Sequence, residues 1–196
     1  NTFEGNLKYL FLYLNSLMQK EIKFLFLTEN RKLYNNLIAY GFSSLFYPGL
    51  AGIFKLLRAK AIIVDSNEWV GKFKYQCLFN SFKVQIWHGN GMKTVGMLKP
   101  HVKGRGFLMS FAAKILGHHP HYNLLIMNSQ MQVDTRAKGF DYDELLINGQ
   151  PRNDLFFKTE SINFNMGIDS SVFSRCKDLK SDGKKIVIYS PTWREP

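Results

Sequence analysis

Short apolar runs alternate with amphipathic stretches along most of this chain. Residues 6–19 space their apolar positions as a helix, and 20–27 (KEIKFLFL) reads as a first strand. Residues 30–40 are helical in spacing, with Gly41 as a C-terminal stop. A second strand is expected at 44–47, a helix at 50–58, and a buried third strand at 59–64, ending at Asp65. Residues 69–79 fit neither period. Strands follow at 84–87, 124–127 and 145–147, with a helix at 130–138 between the last two. Strands alternating with helices imply an α/β fold with a mainly parallel sheet covered on both faces. Residues 156–185 are more polar, contain a helix near 164–179, and turn at Ser181-Asp182-Gly183. Residues 186–189 then read as another strand.

Residues 98–122 break this rhythm. An apolar helix over 107–116 is preceded by Lys99, His101, Lys103 and Arg105 and followed by His118, His119 and His121. Such a helix either lies in a membrane interface or is a core helix with solvated basic ends. The three histidines offer no facing i, i+4 pair and no nearby acidic or thiol partner. A solvated basic loop is therefore expected there rather than a metal site, and no other metal site is visible.

Charge narrows the range of partners. The 196 residues carry 26 Lys+Arg against 15 Asp+Glu, a net charge of +11. That excess points to nucleic acid, a phosphorylated substrate or an anionic membrane surface. The 17 Phe and 9 Tyr keep base stacking in view, yet no RNP motif, zinc spacing or helix-turn-helix accompanies them. Cys77 and Cys176 have no metal or redox spacing and read as two buried, reduced thiols of a cytoplasmic protein. No run reaches the roughly 18–20 apolar residues that span a bilayer. The chain opens at Asn1 without a signal-peptide pattern. It stops at Pro196, just after what looks like the opening of a second domain, and so reads as a fragment.

Candidate chemistry concentrates at strand exits, where open α/β sheets bind ligands. Val84-Gln85-Ile86-Trp87 runs into His88 and Gly89, followed by Asn90, Lys93 and Gly96. A histidine there is placed to move protons near neutrality. Two further segments carry an arginine at a turn or strand exit: Gly149-Gln150-Pro151-Arg152-Asn153-Asp154, and 186–194, which ends in Pro191-Thr192-Trp193-Arg194.

Taken in order, these segments resemble the CDP-glycerol glycerophosphotransferase family, the teichoic-acid and capsule polymerases and primases. Phe3-Glu4-Gly5-Asn6-Leu7-Lys8-Tyr9 is similar to its opening F-x-G-N-x-K-y. Trp87-His88-Gly89 with Lys93 and Gly96 resembles W-H-G-T-x-x-K-x-x-G, with Asn90 in place of Thr. Gly149 to Asp154 resembles G-x-P-R-N-D, and Tyr189 to Arg194 resembles Y-a-P-T-x-R. The resemblance implies a Rossmann-like parallel sheet, the N-terminal half of a GT-B-like two-domain transferase. Residues 1–154 would form the acceptor-side domain, 155–185 the connection, and 186–196 the start of a donor-binding domain. A fragment of this kind is expected to lack most of the donor site and to be inactive alone.

The reaction implied is transfer of glycerol phosphate, or a related polyol phosphate, from a CDP-linked donor to a hydroxyl, releasing CMP. No cofactor beyond the CDP-glycerol donor substrate is implied. The acceptor is lipid-linked or a growing polymer, and the enzyme works peripherally at the cytoplasmic face of a membrane, without nucleic acid. His88 is the candidate general base; its alternative role is a structural histidine at a strand end. Gly89, Asn90, Lys93, Arg152 and Arg194 are the candidate substrate-binding residues, cations being suited to a transferring phosphoryl group. Arg194 offers a planar fork to phosphate oxygens, or alternatively a salt bridge across the cleft. Arg152 and Asp154 also read as a structural turn stiffened by Pro151. Trp87 is expected to pack rather than stack on ligand, and Asn128 and Ser129 lie within reach of the cleft. The competing functions are a GT-B-like sugar transferase of another family and a basic nucleic-acid-binding protein.

Overall fold

Parallel strands carry the apolar runs of this chain, and the helices between them bring each strand back in the same direction. The computed structural model describes residues 2–17, 21–89, 108, 120–157 and 169–189. The chain divides into two units, residues 1–162 and 163–196.

In the first unit α1 (Gly5–Ser16) leads to β1 (Phe26–Thr28), α2 (Arg31–Ala39), β2 (Ser44–Phe46), α3 (Leu50–Leu57) and β3 (Ala61–Val64). A 3-10 turn (Glu68–Val70), α4 (Lys74–Cys77) and β4 (Phe82–Gln85) follow. After β5 (His121–Met127) come α5 (Gln130–Arg136), a 3-10 turn (Ala137–Gly139), β6 (Asp141–Ile147) and a 3-10 helix (Pro151–Phe156). Local chemistry sets several of these boundaries. The Asn30 side chain caps α2 by accepting from the Leu33 N–H at 3.1 Å, and Gly41 at φ +80° follows its end, a geometry that costs glycine least. The Ser129 side chain caps α5 in the same way.

β1 pairs with β2, and β3-β4-β5-β6 form a four-stranded sheet, all parallel. The fold is therefore α/β and Rossmann-like, as the alternation of elements and the motifs imply. One core cluster holds Val64, Trp87, Tyr122, Leu125, Met127, Ala137 and Phe140, and another holds Leu45, Tyr47, Leu56 and Leu78. Ile62 and Trp69 pack against both. Each fully buried Leu contributes about 1.5–3 kcal/mol relative to an exposed one.

Several boundaries differ from the sequence expectation. β1 is only three residues long because its partner β2 is equally short; the ladder runs from Phe26–Ser44 to Thr28–Phe46. β4 ends at Gln85 rather than residue 87, since Trp87 takes φ +40° and leaves the extended region. The ambiguous stretch 69–79 resolves into a 3-10 turn and the four-residue α4. It is anchored by Glu29, which forms ion pairs with Lys72 and with the buried Lys74. Burial pushes the Glu29 carboxyl up, but hydrogen bonds from the two lysines outweigh this and hold it below its usual value.

β5 begins at His121, so this residue lies in a strand and not in a basic loop. Its ring nitrogens face Asp141 and Asp143 of β6 at 3.3 and 3.1 Å. Acidic partners absent from its own sequence neighbourhood are supplied by the adjacent strand. Cys77 and Cys176 are free but half-buried rather than buried. The apolar stretch 107–116 lies outside the described residues except for Leu108, which is helical and exposed.

The second unit contains α6 (Ser170–Ser181). Asp169 caps it, accepting from the Ser171 and Val172 N–H groups, and Gly183 at φ +73° follows its end. Residues 186–189 are not a strand: they are exposed and pair with no described residue in a ladder.

Candidate functional site

The site is built where β4 ends. Gln85, the last residue of the strand, is fully buried, and its Oε1 accepts the Trp87 N–H at 2.9 Å. Its Nε2 donates to the Ser66 carbonyl at 3.3 Å and to the Tyr122 hydroxyl at 3.2 Å. That hydroxyl also accepts from Trp69 Nε1 at 3.1 Å and donates to Asn67 Oδ1 at 2.8 Å. Burial pushes the Tyr122 phenol up to about 12, so it is a neutral part of the scaffold at any physiological pH.

On this base Trp87 turns the chain. Its indole is buried against Phe140, edge to face at 5.0 Å, so it packs in the core as expected. The same indole stacks on the imidazole of His88, with centroids 4.3 Å apart and planes 28° from parallel. His88 is exposed. One face of its ring is fixed by Trp87, and the residue stands at the carboxyl end of a central strand, open to a substrate.

Gly89 follows at φ +153°. A Cβ built there would lie 3.4 Å from Nη2 of Arg152, so the guanidinium rests close against this backbone. Arg152 is the second residue of the 3-10 helix that Pro151 opens. The Asn153 N–H returns to the Gln150 carbonyl at 2.9 Å, which makes the segment both the expected turn and the carrier of a cation beside the histidine.

Two further residues, both from the first motif, complete the arrangement. Asn6, in the first turn of α1, is 1% exposed. Its Nδ2 donates to the Trp87 carbonyl at 2.9 Å, and its Oδ1 accepts the Arg152 N–H at 3.5 Å. Gly5 enters α1 at φ +62°, where an added Cβ would lie 3.9 Å from Asp65 Oδ2. The exits of β3 and β4, the start of α1 and the Pro151 turn thus converge. Lys8 is buried, with its ammonium 5.2 Å from the Tyr9 ring centroid, and burial pulls its pKa down. The signal for Asn6 and Gly5 was their place in the first motif; Gln85 carries no signal beyond being a polar residue in an apolar strand.

The structure therefore brings together His88, Gly89 and Arg152. Asn90, Lys93 and Arg194 lie outside the described residues. Ser129 is used as a helix cap, and the backbone N–H of Asn128 bonds Gln132 Oε1 at 2.9 Å. Among the described residues no group of His, Cys, Asp or Glu is arranged to hold a metal ion. Among them, too, no helix is long and apolar enough to cross a membrane. A solvent-facing imidazole beside an arginine can accept a proton from a hydroxyl while the cation faces a phosphate.

The family model described as CDP-Glycerol:Poly(glycerophosphate) glycerophosphotransferase matches residues 1–196, the whole chain. None of the curated proteins matches it.

Proposed function

The chain belongs to the CDP-glycerol:poly(glycerophosphate) glycerophosphotransferase family, and from that membership we propose that it moves glycerol phosphate from CDP-glycerol onto a hydroxyl of a lipid-linked or growing polymer acceptor. The acceptor oxygen attacks the glycerol-bearing phosphorus, the bond from that phosphorus to the bridging oxygen breaks, and CMP leaves with the bridging oxygen. His88 takes the hydroxyl proton. A positioned base of this kind contributes about 10²–10⁴-fold.

The observation that carries the reading is the presentation of His88: exposed at a strand exit, braced on Trp87, with the Arg152 guanidinium against Gly89. Arg152, with Lys93 and Arg194, offsets charge on the transferring phosphoryl group. Gly89 and Asn90 contribute to substrate binding beside the base. A domain beginning near residue 186 holds the cytidine end of the donor. A lipid-linked acceptor places the enzyme peripherally on the cytoplasmic face of the membrane, in teichoic-acid or capsule synthesis, with Lys99, Lys103 and Arg105 meeting anionic lipid.

The test is to incubate the full-length protein with CDP-glycerol and a lipid-linked glycerophosphate acceptor, and to follow CMP and chain extension. Acceptor-dependent CMP release is expected. Its absence, with transfer from a nucleotide sugar instead, would overturn the assignment.

A further inference from the structure

We infer that Asn6 is a positioning residue of this site: one buried carboxamide sets the Trp87–His88 peptide and ties the Arg152 turn to it. The inference rests on the reading of His88 as the base.

The backbone at Trp87 is the point that needs holding. A residue with a Cβ at φ +40° sits in a region disfavoured for L-residues and must be held there by its surroundings. Both polar groups of this residue's backbone are held by buried amide side chains. Gln85 accepts from its N–H at 2.9 Å, and Asn6 donates to its C=O at 2.9 Å. That carbonyl belongs to the peptide linking Trp87 to His88, so its direction sets where the imidazole leaves the backbone. The other end of the Asn6 side chain accepts the Arg152 N–H, and the guanidinium of Arg152 lies against Gly89. Base and cation come from segments 64 residues apart in sequence, yet both are referred to one rigid group.

The chemistry demands an amide. The Trp87 carbonyl needs a donor and the Arg152 N–H needs an acceptor, and a carboxamide on a single methylene supplies both. Turned over, its oxygen would face a carbonyl and its NH₂ an N–H, so only one orientation makes both bonds. Aspartate keeps the acceptor but sets a carboxylate against the Trp87 carbonyl oxygen. Alanine supplies neither.

Asn6→Ala and the near-isosteric Asn6→Asp are made in the full-length enzyme, each alone and combined with His88→Ala, and CMP release is measured. Each is expected to lower kcat by about 10–100-fold, as for a misplaced reactive group, with KM for CDP-glycerol nearly unchanged. On the His88→Ala background the same change should cost at least several-fold less than on wild type, because the share of the loss that acts through the base is already gone. Equal losses on both backgrounds, or an unaltered kcat, would overturn the inference. Histidine-ring resonances supply a readout free of catalysis: in Asn6→Asp the His88 signal should shift while that of His121 stays in place. A stationary His88 signal overturns the positioning role. A shifted signal with His88→Ala fully active overturns the general base instead.

Discussion

His88 combines exposure with a fixed orientation, and this separates its proposed contribution to turnover from any contribution to folding. The imidazole covers the Trp87 indole on one face but buries little of itself. His88→Ala in the full-length enzyme should reduce kcat by about 10² or more. Its thermal midpoint should stay within a degree or two of wild type, since exposed sites typically change stability by less than about 0.5 kcal/mol. Folded mutant protein with normal turnover would remove His88 from the mechanism. Tyr122 is the opposite case. Its hydroxyl serves Trp69, Gln85 and Asn67 at once, and Tyr122→Phe removes all three bonds, leaving Gln85 only its remaining contacts to Ser66 and Asn67. Denaturant unfolding at neutral pH should show a loss of about 1–3 kcal/mol. The folded phenol titrates near 12 against 10.0 for the free group, so wild type alone loses this stabilisation as pH rises from 10 toward 12. The gap between the two proteins should therefore narrow over that interval, and a constant gap would contradict the burial of the hydroxyl.

At the scale of elements, the close seat of α3 on the end of β2 depends on a missing side chain. A Cβ on Gly52 would lie 2.2 Å from the Phe46 carbonyl oxygen and 3.2 Å from its carbon, both backbone atoms that cannot swing away. Gly52→Ala should cost about 1–3 kcal/mol in chemical denaturation, the usual penalty of overpacking. Gly149→Ala, with open space around it, is the matched control and should be nearly neutral. The sequence made the helices and the strand cores readable, because their periodicities survive in short windows. It missed ladder lengths, since these depend on a partner: β5 and β6 extend back to His121 and Asp141 because each supplies the other's hydrogen bonds. The site followed the same rule. His88, Gly89 and Arg152 announce themselves by residue type at strand exits and turns. Asn6 works through contacts 81 and 146 residues away, which no local pattern encodes. Gln85 looks like an interruption in an apolar strand until Tyr122 and Trp87 are placed around it.

For the whole molecule, the net charge of +11 and the proposed lipid-linked acceptor lead to a binding experiment. Vesicles containing anionic lipid should sediment the protein, and neutral vesicles should not. Each Lys or Arg near the surface adds about 1 kcal/mol, so Lys103→Glu with Arg105→Glu should weaken binding by about 30-fold or more. Rising salt should loosen it as well. Binding indifferent to both changes would show that segment 98–122 is not the contact. One property of the sheet bears on how such a segment could diversify. Neighbouring strands follow one another in chain order, and the partners Ala61–Phe82 and His121–Asp141 are about twenty residues apart, whereas Val84–Leu124 are about forty apart. The entropy of closing a loop grows only logarithmically, so doubling its length costs about 0.6 kcal/mol. The connection between β4 and β5 can therefore change in length at little loop-closure cost to the strands on either side. Under the proposed function, acceptor preference would then be uncoupled from foldability, and a lineage could retool what meets the histidine without rebuilding what holds it.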